Sequence, residues 1–250
     1  MSKKSPWLVA YGPGPDAETR VVTFPHAGGS ASWFRDWAQH LGPGCTLRSV
    51  QYPGRENRLA EPLVPAMKQL AQGVAEALAE EPDGARETVF FGHSMGAAVA
   101  YETLRLLEAW GSSSVTRLCV SGRELRAGPE PGAAVIRDDE ALMASMTRLG
   151  GTRSAVFDDP DLREMVLDIV RNDYHLVDTY RADPGAAPVR ADVLALTGDR
   201  DPQVDLGRID AWASVTTGSY ARHVFPGGHF YLADHAPRLL RLATGAPAAG

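Results

Sequence analysis

Short runs of β-branched and aromatic residues alternate along this chain with longer stretches of helical periodicity. That alternation predicts a largely parallel sheet with crossover helices, an α/β fold. The strand candidates are residues 7–11, 20–24, 46–52, 88–91, 115–120, 193–196 and 221–225. Pro13 and Pro15 end the first run in a turn, so the first two strands can pair as an antiparallel hairpin. Val64, Met67, Leu70, Val74 and Leu78 then fall on one helical stripe. A second helix is predicted over 95–110, where Ala98, Tyr101 and Leu104 point one way and small residues in the first turn allow close approach to a sheet.

From about residue 125 to 183 the alternation breaks. This stretch is too long for a simple strand-helix-strand connection and carries at least two amphipathic helices. One has Leu142, Met146 and Leu149 on its inner face. The other has Leu162, Met165, Val166, Ile169 and Val170 at helical spacing, with Asp159 as N-cap and Pro160 in the first helical position. Residues 174–180 are expected to return to the sheet. The segment reads either as an extra helical layer or as a lid over a site, and a long insertion with its own helices favours the lid. The expectation is a single domain over 1–250 with this insertion inside it.

Composition narrows the class. Hydrophobic residues make up 44% and charged residues 22%, as in ordinary globular proteins. The net charge of −6 argues against nucleic-acid binding, which needs a basic face, but leaves room for a local arginine patch that docks an acidic protein. Two cysteines are too few for a disulfide framework, and Cys119 in an apolar run reads as a small core residue. No apolar stretch of signal-peptide length follows Met1, and none approaches the roughly 18 residues of a membrane span. A reducing cytoplasm and no membrane association are expected. A monomer is expected, although no motif sets an oligomeric state. Residues 244–250 read as a frayed tail.

The candidate chemistry centres on Gly92-His93-Ser94-Met95-Gly96, which lies between a predicted strand and a predicted helix. Glycines on both sides of a serine at such a turn tolerate a strained backbone and leave its hydroxyl exposed at the sheet edge. A serine hydroxyl needs a base, and the base needs an orienting carboxylate. Downstream, the strand at 193–196 opens into Thr197-Gly198-Asp199-Arg200-Asp201-Pro202, at a carboxyl end where ligands and catalysts gather in open α/β sheets. Asp201 is the first choice for the carboxylate and Asp199 the alternative. The strand at 221–225 opens into Pro226-Gly227-Gly228-His229-Phe230, where two glycines free the backbone to aim an imidazole. Of seven histidines, His229 is the candidate base. His223 lies within a strand, His93 points off the serine turn, and His40, His175 and His235 sit in or beside helices. Pro25-His26-Ala27-Gly28-Gly29-Ser30, after an early strand, resembles a loop that donates a backbone N–H to an oxyanion, and the N–H of Met95 supplies a second donor. No nucleotide-binding glycine motif and no metal-ligand spacing is present, so no cofactor and no metal are expected.

These residues together are what an α/β-hydrolase shows, and their wording resembles the stand-alone type II thioesterases of polyketide and nonribosomal peptide synthases. The matching pieces are Phe24-Pro-His-Ala-Gly-Gly-Ser30, Gln51-Tyr-Pro-Gly-Arg55, Phe91-Gly-His-Ser-Met-Gly-Ala97, Gly198-Asp-Arg-Asp-Pro202 and Gly227-Gly-His-Phe-Tyr231. The resemblance runs from about residue 20 to 240. It implies an α/β-hydrolase fold, a triad of Ser94, Asp201 and His229, oxyanion donors at Ala27 and Met95, and a lid over an acyl chamber. It further implies that the substrate brings the phosphopantetheine, as a thioester on an acyl or peptidyl carrier domain, and that the reaction edits stalled or aberrant chains. Arg55 and Arg58 could touch an acidic carrier or its phosphate; the plainer reading is surface salt bridges. The chain departs from the family wording after Arg123, continuing Glu124-Leu125-Arg126 at the entrance to the insertion. A carboxylesterase, lipase or acyltransferase on the same scaffold is the enzymatic alternative, and a binding protein without catalysis is the alternative of a different class.

Overall fold

The computed structural model describes residues 5–12, 17–81, 85–111, 114–128, 138–149 and 159–245. The expected Pro13–Pro15 turn and most of the expected tail lie outside these residues. Seven strands form one sheet in the order β1-β3-β2-β4-β5-β6-β7. They are β1 (Leu8–Tyr11), β2 (Thr19–Phe24), β3 (Cys45–Val50), β4 (Glu87–His93), β5 (Val115–Ser121), β6 (Asp192–Gly198) and β7 (Tyr220–Phe225). All neighbouring pairs are parallel except β1 with β3. The predicted hairpin of the first two strands does not form. β2 is a near-continuous buried run that takes a parallel partner on each side, β3 and β4, as an interior parallel strand should. That leaves the half-buried β1 to pair antiparallel at the edge, Leu8 opposite Val50.

Helices cover both faces. On one face, α1 (Met67–Glu80) and α2 (Met95–Ala109) pack over Val22, Phe90, Leu118 and Val120. Ala97, Ala98 and Ala100 are fully buried, which explains the run of small residues at the start of α2: anything larger would hold the helix off the sheet. On the other face, a 3-10 helix (Ala31–His40) and the C-terminal helix (Leu232–Thr244) enclose Val21, Leu47, Phe91 and Leu196.

The insertion contributes α3 (Asp139–Leu149) and α4 (Pro160–Thr179), with the C-terminal helix then α5. Asp159 caps α4 as predicted, its Oδ1 accepting the Leu162 N–H at 3.1 Å. Two expectations are corrected. Residues 174–180 do not run back to the sheet as a separate element, because no glycine or proline interrupts 161–183 and α4 continues to Thr179. The buried stripe runs through Leu167 and Val170 against Leu142 and Met146, while Leu162 is exposed. The two ends of the insertion meet: the Ala182 N–H donates to the Arg126 carbonyl at 2.8 Å, and Ala127 and Ala182 form a parallel bridge. Beside this neck, Tyr180 donates to the buried Glu102 of α2 at 2.8 Å.

Candidate active site

β4 passes into α2 through Ser94 alone, whose backbone sits at φ 54°, ψ −113°. Positive φ in a residue with a Cβ costs on the order of 1–3 kcal/mol and persists only where neighbours enforce it. Here the neighbours are identifiable. The Ser94 N–H donates to the Ser121 carbonyl of β5 at 2.7 Å. A side chain at Gly92 would meet the Gly96 carbonyl oxygen at 2.3 Å, and one at Gly96 would meet the Phe24 carbonyl oxygen at 2.0 Å. Both glycines are therefore demanded by close packing of strand, turn and helix, while the strained backbone the sequence assigned to them falls on Ser94 itself.

The loops after β6 and β7 meet beside this turn. His229 Nδ1 donates to Asp201 Oδ2 at 2.8 Å, and both side chains are buried. Asp201 Oδ1 also accepts the Gln203 N–H at 2.9 Å, so the carboxylate is held from two sides. The other candidate, Asp199, accepts the Gly227 N–H at 2.8 Å and lies partly in solvent beside Arg200. It staples the two loops together, and the carboxylate on the imidazole is that of Asp201. Because a carboxylate can only accept, the neutral His229 ring carries its proton on Nδ1 and leaves Nε2 as the basic nitrogen. Ser94 and His229 line one cavity. Among the described residues no hydrogen bond yet joins their side chains, the looser geometry common before substrate binds.

Two further imidazoles surround His229. His93 packs on its ring at a centroid distance of 4.8 Å, and His26 lies 6.0 Å from His93 and 4.7 Å from Phe230. Burial, then the nearby His229 and Arg55, lowers the His26 pKa to about 3. Burial, with His229 and His26, likewise drives His93 well below its ordinary value. Both rings are neutral at physiological pH. His93 Nδ1 pairs with the Ser121 hydroxyl at 3.0 Å, and that hydroxyl pairs with Tyr231 at 2.8 Å. The sequence placed His93 off the serine turn and gave it no partner; only the pairing of β4 with β5 brings it to Ser121.

The 26–30 loop follows β2 at the same carboxyl edge. The N–H groups of Ala27 and Met95 have no hydrogen-bond partner among the described residues, the state expected of donors kept for a ligand. Leu149 of α3 with Tyr174 and Val177 of α4 line the same cavity as Ser94. Arg55 and Arg58 are corrected: both are buried and engaged internally. Arg55 pairs with Asp173 of α4, and Arg58 donates to Glu61 and to the Gln51 carbonyl while its guanidinium covers the Trp7 ring. Asp173 is missed by the sequence reading, although it stands at helical spacing from Ile169, Val170 and Leu176, all buried, and a carboxylate on that apolar stripe is the signal that could have found it. Glu124, the departure from the family wording, accepts the Asp205 N–H at 2.6 Å and so steadies the loop that follows Asp201. Among the described residues no group of three or more His, Cys, Asp or Glu is placed to hold a metal ion, and no helix is long and apolar enough to cross a membrane.

Comparison with known proteins agrees with this geometry. Residues 19–245 match the family described as "Thioesterase domain". A probable cadicidin biosynthesis thioesterase of Streptomyces griseus is 40% identical over 229 residues, which is 92% of this chain and 62% of that protein. This chain thus matches less than two thirds of that relative's length. The thioesterase PikA5 of Streptomyces venezuelae is 39% identical over 91% of this chain and 80% of its own. Among solved structures, the type II thioesterase BorB from the borrelidin biosynthetic cluster superposes with a TM-score of 0.83 at 36% identity, covering 98% of this chain and 99% of that one. The chain belongs to the thioesterase family on the α/β-hydrolase fold, and within that family its likeness is to type II thioesterases.

Proposed function

We propose that this protein hydrolyses acyl thioesters carried on the phosphopantetheine arm of acyl or peptidyl carrier domains, and that it clears stalled or aberrant chains from a polyketide or nonribosomal peptide synthase. The observation that carries the chemistry is the His229–Asp201 hydrogen bond beside the strained Ser94. The carrier substrate rests on the likeness to PikA5 and BorB. Two unpaired cysteines, Cys45 and Cys119, fit a reducing cytoplasm as the place of action.

In this reading His229 Nε2 takes the Ser94 proton as Oγ attacks the thioester carbonyl carbon. The oxygen that gains charge is held by the N–H groups of Ala27 and Met95, donors typically worth about 3 kcal/mol each in the transition state. The C–S bond breaks, and the thiol leaves with the proton from the imidazolium. A water, deprotonated by the same nitrogen, then attacks the acyl-enzyme carbonyl; the C–Oγ bond to Ser94 breaks, the imidazolium returns the proton to Oγ, and the acid leaves. Asp201 keeps the ring in the productive tautomer and offsets its transient charge without taking the proton. The helices α3 and α4 act as a lid whose inner wall, Leu149 and Val177 included, shapes the acyl chamber. The test is a panel of acyl-loaded carrier domains against a matched aryl oxyester. Thioester turnover that exceeds oxyester turnover in kcat/KM, and that vanishes in Ser94→Ala, is expected. Equal or better use of the oxyester would favour a carboxylesterase, and failure of a fluorophosphonate to label Ser94 would favour a binding protein.

A further inference from the structure

We propose that Asp173, in the C-terminal half of α4, is a positioning residue for the oxyanion loop, so that the lid and the Ala27 donor form one mechanical unit. This rests on the hydrolase reading above and goes beyond it, since Asp173 touches none of the reacting atoms.

The loop is a tight turn. The Gly29 N–H donates to the His26 carbonyl at 2.9 Å, and Gly28 sits at φ +76°. Such a turn, with positive φ at its third residue, leaves two central amides unbonded, those of Ala27 and Gly28. Ala27 lines the cavity that holds Ser94, and its N–H has no partner among the described residues. The Gly28 N–H donates to Asp173 Oδ2 at 2.7 Å, across 145 residues of sequence. Flipping the peptide between Ala27 and Gly28 is the ordinary way such a turn converts to its neighbouring type. That flip would break the bond to Asp173 and swing the Ala27 carbonyl against the carboxylate, a repulsion that displaces the turn and with it the Ala27 N–H. Asp173 thus selects one of two turn forms. Val170, one helical turn earlier on α4, reinforces the choice, because a Cβ at Gly28 would stand only 3.0 Å from its methyl group.

A fully buried carboxylate needs a counterion, and Arg55 supplies it through the same Oδ2. The Gln51–Arg55 motif now has a structural role. The Gln51 side chain accepts the Ala31 N–H at 2.8 Å and donates to the Arg55 carbonyl at 2.9 Å, and Tyr52 donates to the Pro25 carbonyl at 3.3 Å. Arg55 itself donates to the Pro53 carbonyl at 2.8 Å. The motif braces both flanks of the donor loop and presents the Arg55 guanidinium to Asp173. Asn172 adds a tie from α4 to the Val64 carbonyl at 3.1 Å.

The test separates positioning from bulk stability. The paired variant Arg55→Met/Asp173→Leu removes both charges at once and so avoids stranding either in the interior. It is expected to unfold cooperatively like the parent and to bind the product acid within about threefold of it, while kcat on an acyl-pantetheine thioester falls by about 10- to 100-fold, as for a displaced donor. Affinity for a trifluoromethyl ketone analogue, whose hemiketal oxygen needs the oxyanion donors, should fall by the same factor. Asp173→Asn keeps an oxygen for the Gly28 N–H and should recover most of kcat. Parental kcat and ketone affinity in the paired variant would overturn the proposal, as would a fall in product-acid affinity that matches the fall in kcat. If the paired variant does not fold, Asp173→Glu decides, since it keeps a charge for Arg55 but moves the oxygen off the Gly28 N–H. A fall in kcat and ketone affinity while product-acid affinity holds is expected, and parental values, or a matching fall in product-acid affinity, would sink the idea. Ser94→Ala on the same substrate keeps the hydrolase reading separate, since its failure to abolish turnover would strike that reading and not this one alone.

Discussion

The turn around Ser94 and the scaffold around Gly28 do comparable work and are built in opposite ways. Ser94 and Asp201 lie within three residues of a strand's end and His229 within four, each in a short turn whose glycines and prolines announce it. Gly28 owes its setting to a carboxylate in the C-terminal half of a 20-residue helix and an arginine between two other strands. The reacting groups are placed by local geometry, and the donor loop is placed by tertiary contact. A substitution in the first set should therefore remove chemistry and leave the fold. One in the second should disturb how well the chemistry is aimed.

The largest expected effect sharpens the first half of that contrast. Ser94→Ala should lower kcat on a carrier thioester by about a million-fold, as for other serine triads, with an unfolding temperature at or above the parent's because the strained residue is eased only slightly. Asp201→Asn should cost about 10⁴-fold in turnover, by loss of the correct tautomer. Asp199→Asn, whose oxygen still accepts the Gly227 N–H, should cost no more than a few-fold; the reverse ranking in steady-state kinetics would exchange their roles.

Core truncations probe the second half. Leu104→Ala, on α2 beneath the sheet, should lower global stability by about 3 kcal/mol. Leu167→Ala, in the small cluster beneath the insertion, should act more locally. Amide exchange should speed in α3 and α4 with a smaller change in the denaturant midpoint, because that cluster is separate from the two sheet cores. Equal loss of global stability in both variants would break the distinction.

The last effect is a gradual one, a pH dependence. An unfolded histidine takes up its proton near pH 6.5, whereas folded His26 does so only near 3. Between those values the unfolded chain binds more protons, so stability is fully present above about 6.5 and declines as pH falls. The slope approaches about 1.4 kcal/mol per pH unit for this one group. His26→Gln should flatten the midpoint-versus-pH curve by about one proton over that window; an unchanged slope would show that the ring titrates normally.

Legibility in the sequence follows the same division. All seven strands and the carboxyl-edge loops were readable from period and turn residues, because strand, turn and nucleophile are adjacent in the chain. The choice between Asp199 and Asp201 was not, since both occupy one loop and only the approach of β7 tells which faces His229. The edge pairing of β1 and the course of 174–180 were misread where local pattern fits two topologies equally well. Arg55 looked like a surface charge because its partner lies far along the sequence, at Asp173.

The stitched neck at Ala127 and Ala182 has an evolutionary and engineering consequence. Both ends of the insertion leave the scaffold at one point, so its helices can be exchanged as a cassette without shifting any register in the sheet. New pocket shapes are then available by transplantation. A transplanted cassette that lacks a carboxylate facing Gly28 would bring a new pocket and leave its host with a misdirected amide.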